Sequence, residues 1–412
     1  MISVSKDFAP PFGMIAPYFA VGAFFYLFSA LYALFLTPDS LHFLSGTVIG
    51  WVHLFLLGFV MMVIFGAMAQ LVPVVLEVGH FAVAFYYLIW PLLLTGTVLM
   101  VFGFITAPSL LPYGGTVVLI AMIIFMLDIF LTLRSVESFT FPMKSVIIAN
   151  AFLLMGVIAG IVLALVYAGR IDLDPTALLK GHVFAMVGGY IMVTVMGLSM
   201  VLIPMFGLAH DFSWRPVKAA VALMGIAVIS MLFSALFGGR ELPEYLAYAA
   251  GAASLLFYGR QVVILYRKRA RKEHDIYAVS LYIAYGSLAA AVLMAVLFLL
   301  GGGVQLLLVA GWIMFVGFFG FLITGHLYKI VPFLVWFERF SPKVGKEKVP
   351  MLADMVPERG AYAQTAFSTA GTVLIAAGIL FENEVFFKGG ASALSVGAVF
   401  LLLNIFYIMR FK

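Results

Sequence analysis

An all-α polytopic membrane protein is the fold class this sequence predicts, with twelve transmembrane helices in three pseudo-repeats of four. Three observations predict it. The 412 residues are 65% hydrophobic and 10% charged, with a mean hydropathy of +1.17, far outside the composition of soluble domains. Apolar stretches of about 20 residues or more, each long enough to cross the hydrocarbon core of a bilayer, recur along the chain. The pattern Gly-x7-Gly-x6-Pro occurs three times, at Gly58, Gly66 and Pro73, at Gly189, Gly197 and Pro204, and at Gly317, Gly325 and Pro332. Its period is roughly 130 residues, so each unit has counterparts that can be compared position by position.

In the first repeat, roughly residues 1–140, spans are expected at roughly 14–36, 43–75, 80–105 and 108–133. The second repeat, roughly 141–273, should hold spans at roughly 144–168, 176–206, 216–238 and 243–266. The third, roughly 274–412, should hold them at roughly 276–300, 304–336, 361–381 and 388–409. The first helix of each repeat has a glycine near its middle, Gly22, Gly156 and Gly286. The second carries the Gly and Pro signature. Small residues let helices approach closely, and a proline near a helix end is tolerated where neighbours satisfy the freed carbonyl, so these three are core helices. The third of each repeat rests on length and hydropathy alone. The fourth ends in a polar residue followed six positions later by arginine: Asp128 and Arg134, Gln261 and Arg267, Asn404 and Arg410. Together the repeats form one membrane domain over 1–412.

Lysine and arginine in the short loops orient the chain. Arg267, Lys268, Arg269, Arg271 and Lys272 follow span eight, and Arg339, Lys343, Lys346, Lys348 and Arg359 follow span ten. These loops and both termini are expected on the cytoplasmic side of a bacterial or archaeal inner membrane. The net charge of +5 reflects this bias and points to membrane lipids as partners, not nucleic acid. Met1 to Phe12 has only Lys6 as a basic residue, so no cleavable signal is expected. With no cysteine, a metal must be held by His, Met or carboxylate. Met61, Met62, Met68, Met186, Met192 and Met196 read as packing, since a soft copper site needs convergent sulfurs.

Seven histidines occur. His42, His80, His210 and His274 fall in loops or at span edges, where solvated or interfacial roles are expected. His53, His182 and His326 fall inside spans, where an ionisable side chain is costly and marks a functional site. Counted back from the repeat proline, His53 stands at 20, His182 at 22 and His326 at 6. At about 1.5 Å per residue, the first two share a depth to within roughly 3 Å, whereas His326 lies about 20 Å deeper. At about 100° per residue, they leave opposite sides of equivalent helices. Two imidazoles so placed suit a six-coordinate haem iron. Each could instead bond a backbone carbonyl within the bundle. Lys180, near the end of span six, is placed either to snorkel or to meet a haem propionate. Asp128 is expected to pair with Lys329 or Arg134, and Glu77 is a further acidic candidate near the inner side.

Span two, Trp51-Val-His53 through Gly58 and Gly66-Ala-Met-Ala-Gln-Leu-Val-Pro73, together with the twelve-helix plan, resembles subunit I of the haem-copper oxidase superfamily, nitric oxide reductases included. Span six, Gly181-His182 through Gly188-Gly189 and Gly197 to Pro204, is similar to the NnrS-like relatives linked to nitric oxide tolerance. The resemblance implies haem b, with His53 and His182 as axial ligands and His326 as a second-site or structural residue. Three departures matter. Trp312 and Ala310 stand where that family's tenth helix has two histidines, span seven has no histidine for copper, and Met186 stands where a tyrosine follows the sixth-helix histidine. The resemblance therefore implies a haem protein without a standard copper centre, acting in electron transfer, nitric oxide or oxygen-related respiration, or sensing. Its partners would be respiratory-complex subunits or a small redox protein. Whether it catalyses a reaction stays open. The rival readings are a membrane transporter, with His326, Lys329 and Gln70 lining a vestibule, and a cofactor-free assembly subunit.

Overall fold

In the computed structural model, which describes residues 10–76, 78–136 and 138–412 (of 74–76 the backbone alone), every regular element is helical. Twelve helices are long and apolar enough to cross a membrane. They are α1 (Phe12–Ala33), α2 (Gly46–Pro73), α3 (Phe85–Ile105), α4 (Pro108–Leu133), α5 (Phe141–Tyr167), α6 (Pro175–Gly207), α7 (Arg215–Leu236), α8 (Glu241–Lys268), α9 (Ile276–Leu299), α10 (Val304–Arg339), α11 (Glu358–Leu380) and α12 (Glu384–Met409). Each overlaps an expected span. No strand occurs among the described residues.

The signature helices α2, α6 and α10 share a feature that hydropathy does not reveal. Each begins as α-helix and passes through a π-helical stretch, Leu54–Met61, Phe184–Met192 or Ile313–Gly320. Each then returns to α-helix before its proline. Gly58, Gly189 and Gly317 lie inside these stretches, and Gly66, Gly197 and Gly325 lie beyond them.

The π turn explains the glycine spacing. Two residues eight apart on a plain α-helix point about 80° away from each other, whereas residues seven apart diverge by only about 20°. A π turn closes i→i+5 bonds and so holds one more residue per turn. The extra residue is absorbed, and both glycines face one neighbour. In all three cases that neighbour is the preceding helix, meeting them with residues seven apart. A Cβ on Gly58 or Gly66 would strike Phe25 or Tyr18, and one on Gly189 or Gly197 would strike Phe152 or Ser145. One on Gly317 or Gly325 would strike Ser287 or Ser280. Such contacts place backbone against side chain at separations a larger residue forbids.

The polar residues of α4, α8 and α12 also act alike, each at the start of the preceding helix. Asp128 accepts the Ala82 N–H at 3.1 Å just before α3. Gln261 accepts the Val217 N–H at 3.3 Å in the first turn of α7, where N–H groups lack intrahelical partners. Asn404 lies against Gly360 in the first turn of α11 and donates to the Tyr328 hydroxyl at 2.9 Å. The mid-helix glycines correspond less well. Gly22 packs on α2 and Gly156 on α6, but Gly286 has open space around it.

The chain sorts into two compact units. One comprises Leu71–Phe85 and Ala107–Glu273, holding α4 to α8; the other comprises Pro10–Gln70, Tyr86–Thr106 and His274–Lys412, holding α1, most of α2 and α3, and α9 to α12. The division after Glu273 coincides with the expected start of the third repeat, whereas residue 140 falls inside the first of these units.

Candidate functional site

His182 is held by its neighbour helix. Asp174 caps α6 by accepting the Thr176 N–H at 3.0 Å and the Thr176 hydroxyl at 2.8 Å, and these bonds hold its carboxyl below the usual carboxylate range. Two turns further on, the His182 imidazole lies against Gly160 of α5, where a Cβ would come within 3.0 Å of its Cε1. Its Nδ1 is 2.8 Å from the carbonyl of Gly156, one turn along the same helix. Two glycines thus form a cradle, one through its missing side chain and one through its carbonyl.

His53 reaches the same chemistry differently. It stands at the junction of the first α segment with the π stretch of α2. Its Nδ1 bonds the Ile49 carbonyl of its own helix at 2.9 Å, and its ring lies 5.0 Å from Phe104 of α3. The two histidines therefore leave their helices toward different kinds of neighbour, His53 toward a third helix and His182 toward a first. In both, donation from Nδ1–H puts the lone pair on Nε2, the tautomer in which imidazole binds metal.

His326 lies well beyond the π stretch of α10, as its position six residues before Pro332 requires. Its Nδ1 bonds the Leu322 carbonyl at 2.7 Å, and the Tyr277 hydroxyl donates toward Nε2 at 3.5 Å. Beside it Lys329 pairs with Asp275 at 2.6 Å, while Asp275 also caps α9 through the Ala278 N–H. Gln70 is 5% exposed, and its Oε1 accepts no hydrogen bond from the described residues.

Lys180 donates to both carboxylate oxygens of Glu244, at 3.0 and 2.8 Å. A propionate there would have to compete with that carboxylate. Trp312, at the α10 position matching His53, lies tilted 5.1 Å from Trp51 and donates to the Thr372 carbonyl. Trp51 itself lies parallel to Phe55 and donates to the Ser29 carbonyl.

Two sequence expectations need correction. Asp128 pairs with neither Lys329 nor Arg134, and His80 is not solvated. The two side chains, both 0% exposed, pair with each other at 2.7 Å, while Arg134 lies over the Phe130 ring. An ion in an apolar interior needs a short, hydrogen-bonded partner, and His80 is the group the loop before α3 brings to it. His42, His210 and His274 are exposed, as expected. Glu77 lies outside the described residues. Among the described residues, no three of His, Asp and Glu gather in a set able to hold a metal ion. The sequence matches no protein-family model and no curated protein.

Proposed function

We propose that this chain is an integral membrane haem-b protein whose candidate iron ligands are His53 and His182, built on a scaffold similar to haem-copper oxidase subunit I and lacking its copper centre. The observation carrying this reading is the matched placement of the two imidazoles beside the π stretches, since a carbonyl bond at Nδ1 is made by His326 as well. Both stand within two residues of the π stretch of a signature helix, and both have Nδ1 on a backbone carbonyl. That arrangement orients the ring, fixes the tautomer and raises the basicity of Nε2. Bound haem would supply a one-electron iron couple, and bis-imidazole ligation leaves no open position for gas chemistry unless one ligand departs. Electron transfer is the activity that fits best.

The three-repeat layout belongs to the same proposal. It is supported by the three π stretches, by the residues seven apart that meet each glycine pair, and by the polar residue of each fourth helix at the start of the third. In this reading the protein lies in a bacterial or archaeal inner membrane with both termini cytoplasmic, and exchanges electrons with a respiratory-complex subunit or small redox protein. His326, beside Tyr277, is a second-site or structural residue in this reading.

The test is the visible spectrum of the full chain purified from haem-replete cells, alongside His53→Ala and His182→Ala. Each substitution should shift the Soret band, and electron paramagnetic resonance of the oxidised protein should lose its bis-imidazole low-spin signal. A spectrum unchanged in both variants would refute the ligand assignment.

A further inference from the structure

A cavity of about 570 Å³ opens at the end of α10 and α12 and is lined by Arg339, Phe340, Lys343, Arg410 and Lys412. All four ionisable lining residues are cationic. Ligand sites commonly occupy about 300–1,000 Å³, so this volume admits a headgroup-sized molecule. The site is constructed, not a chance meeting of surface lysines. Arg339 donates to the carbonyls of Met409 at 2.9 Å and Phe411 at 2.6 Å, satisfying oxygens that a helix C-terminus leaves without partners. Phe411 packs edge-on against Phe340 and Tyr407. The sequence neighbours of Phe411, Arg410 and Lys412, are exposed beside the cavity. Arg410 also lies 5.7 Å over the Phe406 ring. Lys343 has one acidic neighbour, Glu347 at 3.4 Å in an exposed pair, which contributes little in water.

We propose that this cavity binds the phosphate of an anionic headgroup. Guanidinium- and ammonium-bearing residues line it from two segments, and these are the groups that recognise phosphate. The aromatic residues beside it have the amphipathic character of a membrane interface. A lipid phosphodiester and a soluble phosphate offer the same chemistry, and competition separates them. The proposal does not depend on haem.

The experiment is native mass spectrometry of the full chain in an uncharged detergent, titrated with phosphatidylglycerol or phosphatidylcholine. Phosphatidylglycerol should be retained preferentially. Each basic residue near a membrane surface contributes about fivefold in affinity, so Lys343→Gln/Lys412→Gln should weaken retention about 25-fold. Displacement of the lipid by inorganic phosphate would assign the site to a soluble anion, and retention against phosphate would assign it to lipid. Equal retention by the variant and the parent would overturn the proposal. So would an equal loss in Lys268→Gln/Arg271→Gln, whose exposed charges lie in the other unit.

Discussion

Deleting Gly320 should leave this protein close to its normal stability, whereas deleting Gly286 should not. Neither deletion removes a side chain, so neither opens a cavity. Gly320 ends the π stretch of α10 between Gly317 and Gly325. Without it those glycines stand seven apart on a plain α-helix, still within about 20° of one face. They still match Ser280 and Ser287, and i→i+5 bonds become i→i+4 bonds at a net cost of about 1 kcal/mol or less. Gly286 lies between Ser280 and Ser287 on α9, which has no π turn to absorb a lost residue. Its removal rotates everything beyond it by about 100° and brings Leu288 into the place of Ser287. At that place a Cβ on Gly317 would already lie 2.7 Å from the serine Oγ. A leucine cannot enter without displacing the helices, an overpacking worth about 1–3 kcal/mol before any further loss along α9. The assay is the thermal midpoint of the detergent-purified chains, read as loss of monodisperse protein. If the Gly320 deletion lowers that midpoint as far as the Gly286 deletion does, the π turn is not a tolerated extra residue and the reasoning fails.

Gly160→Val should press three added carbons toward His182, stretch its 2.8 Å bond to Gly156 and shift the Soret band of the haem-loaded protein; an unmoved band would separate that cradle from the iron. Asp128→Leu should cost about 1–3 kcal/mol by leaving His80 and the Ala82 N–H without their acceptor. The double variant His80→Leu/Asp128→Leu should recover part of that cost, and a doubled loss in chemical unfolding would argue against a coupled pair. Asp174→Ala should lower the thermal midpoint at neutral pH. Because the folded carboxyl titrates below its usual range, the stability it contributes is present above the unfolded value and is lost as pH falls through the folded one. The gap between parent and variant should therefore close in acid, and a gap independent of pH would show that charge is not involved.

Length and hydropathy made the twelve helices legible, because a bilayer accepts few other ways of satisfying backbone groups. The paired polar residues Asp128, Gln261 and Asn404 were visible as a spacing, though their task at the start of the preceding helix was not. That task depends on a neighbour 44 or more residues away, such as Val217 for Gln261. The π turns were written in the glycine spacing itself, since eight residues do not return a plain α-helix to one face. The His80–Asp128 pair escaped because a loop histidine is ordinarily solvated, and only the fold carries it inward. Lys180 escaped for a similar reason, as Glu244 reaches it from another helix. The tautomers of His53 and His182 required the carbonyls of Ile49 and Gly156, which no residue pattern specifies.

The central claim is that this chain holds haem b. A pyridine haemochrome assay on the purified, monodisperse protein measures it most directly. The account predicts the b-type spectrum in stoichiometric proportion to the chain. A colourless, fully folded preparation from haem-replete cells would contradict it.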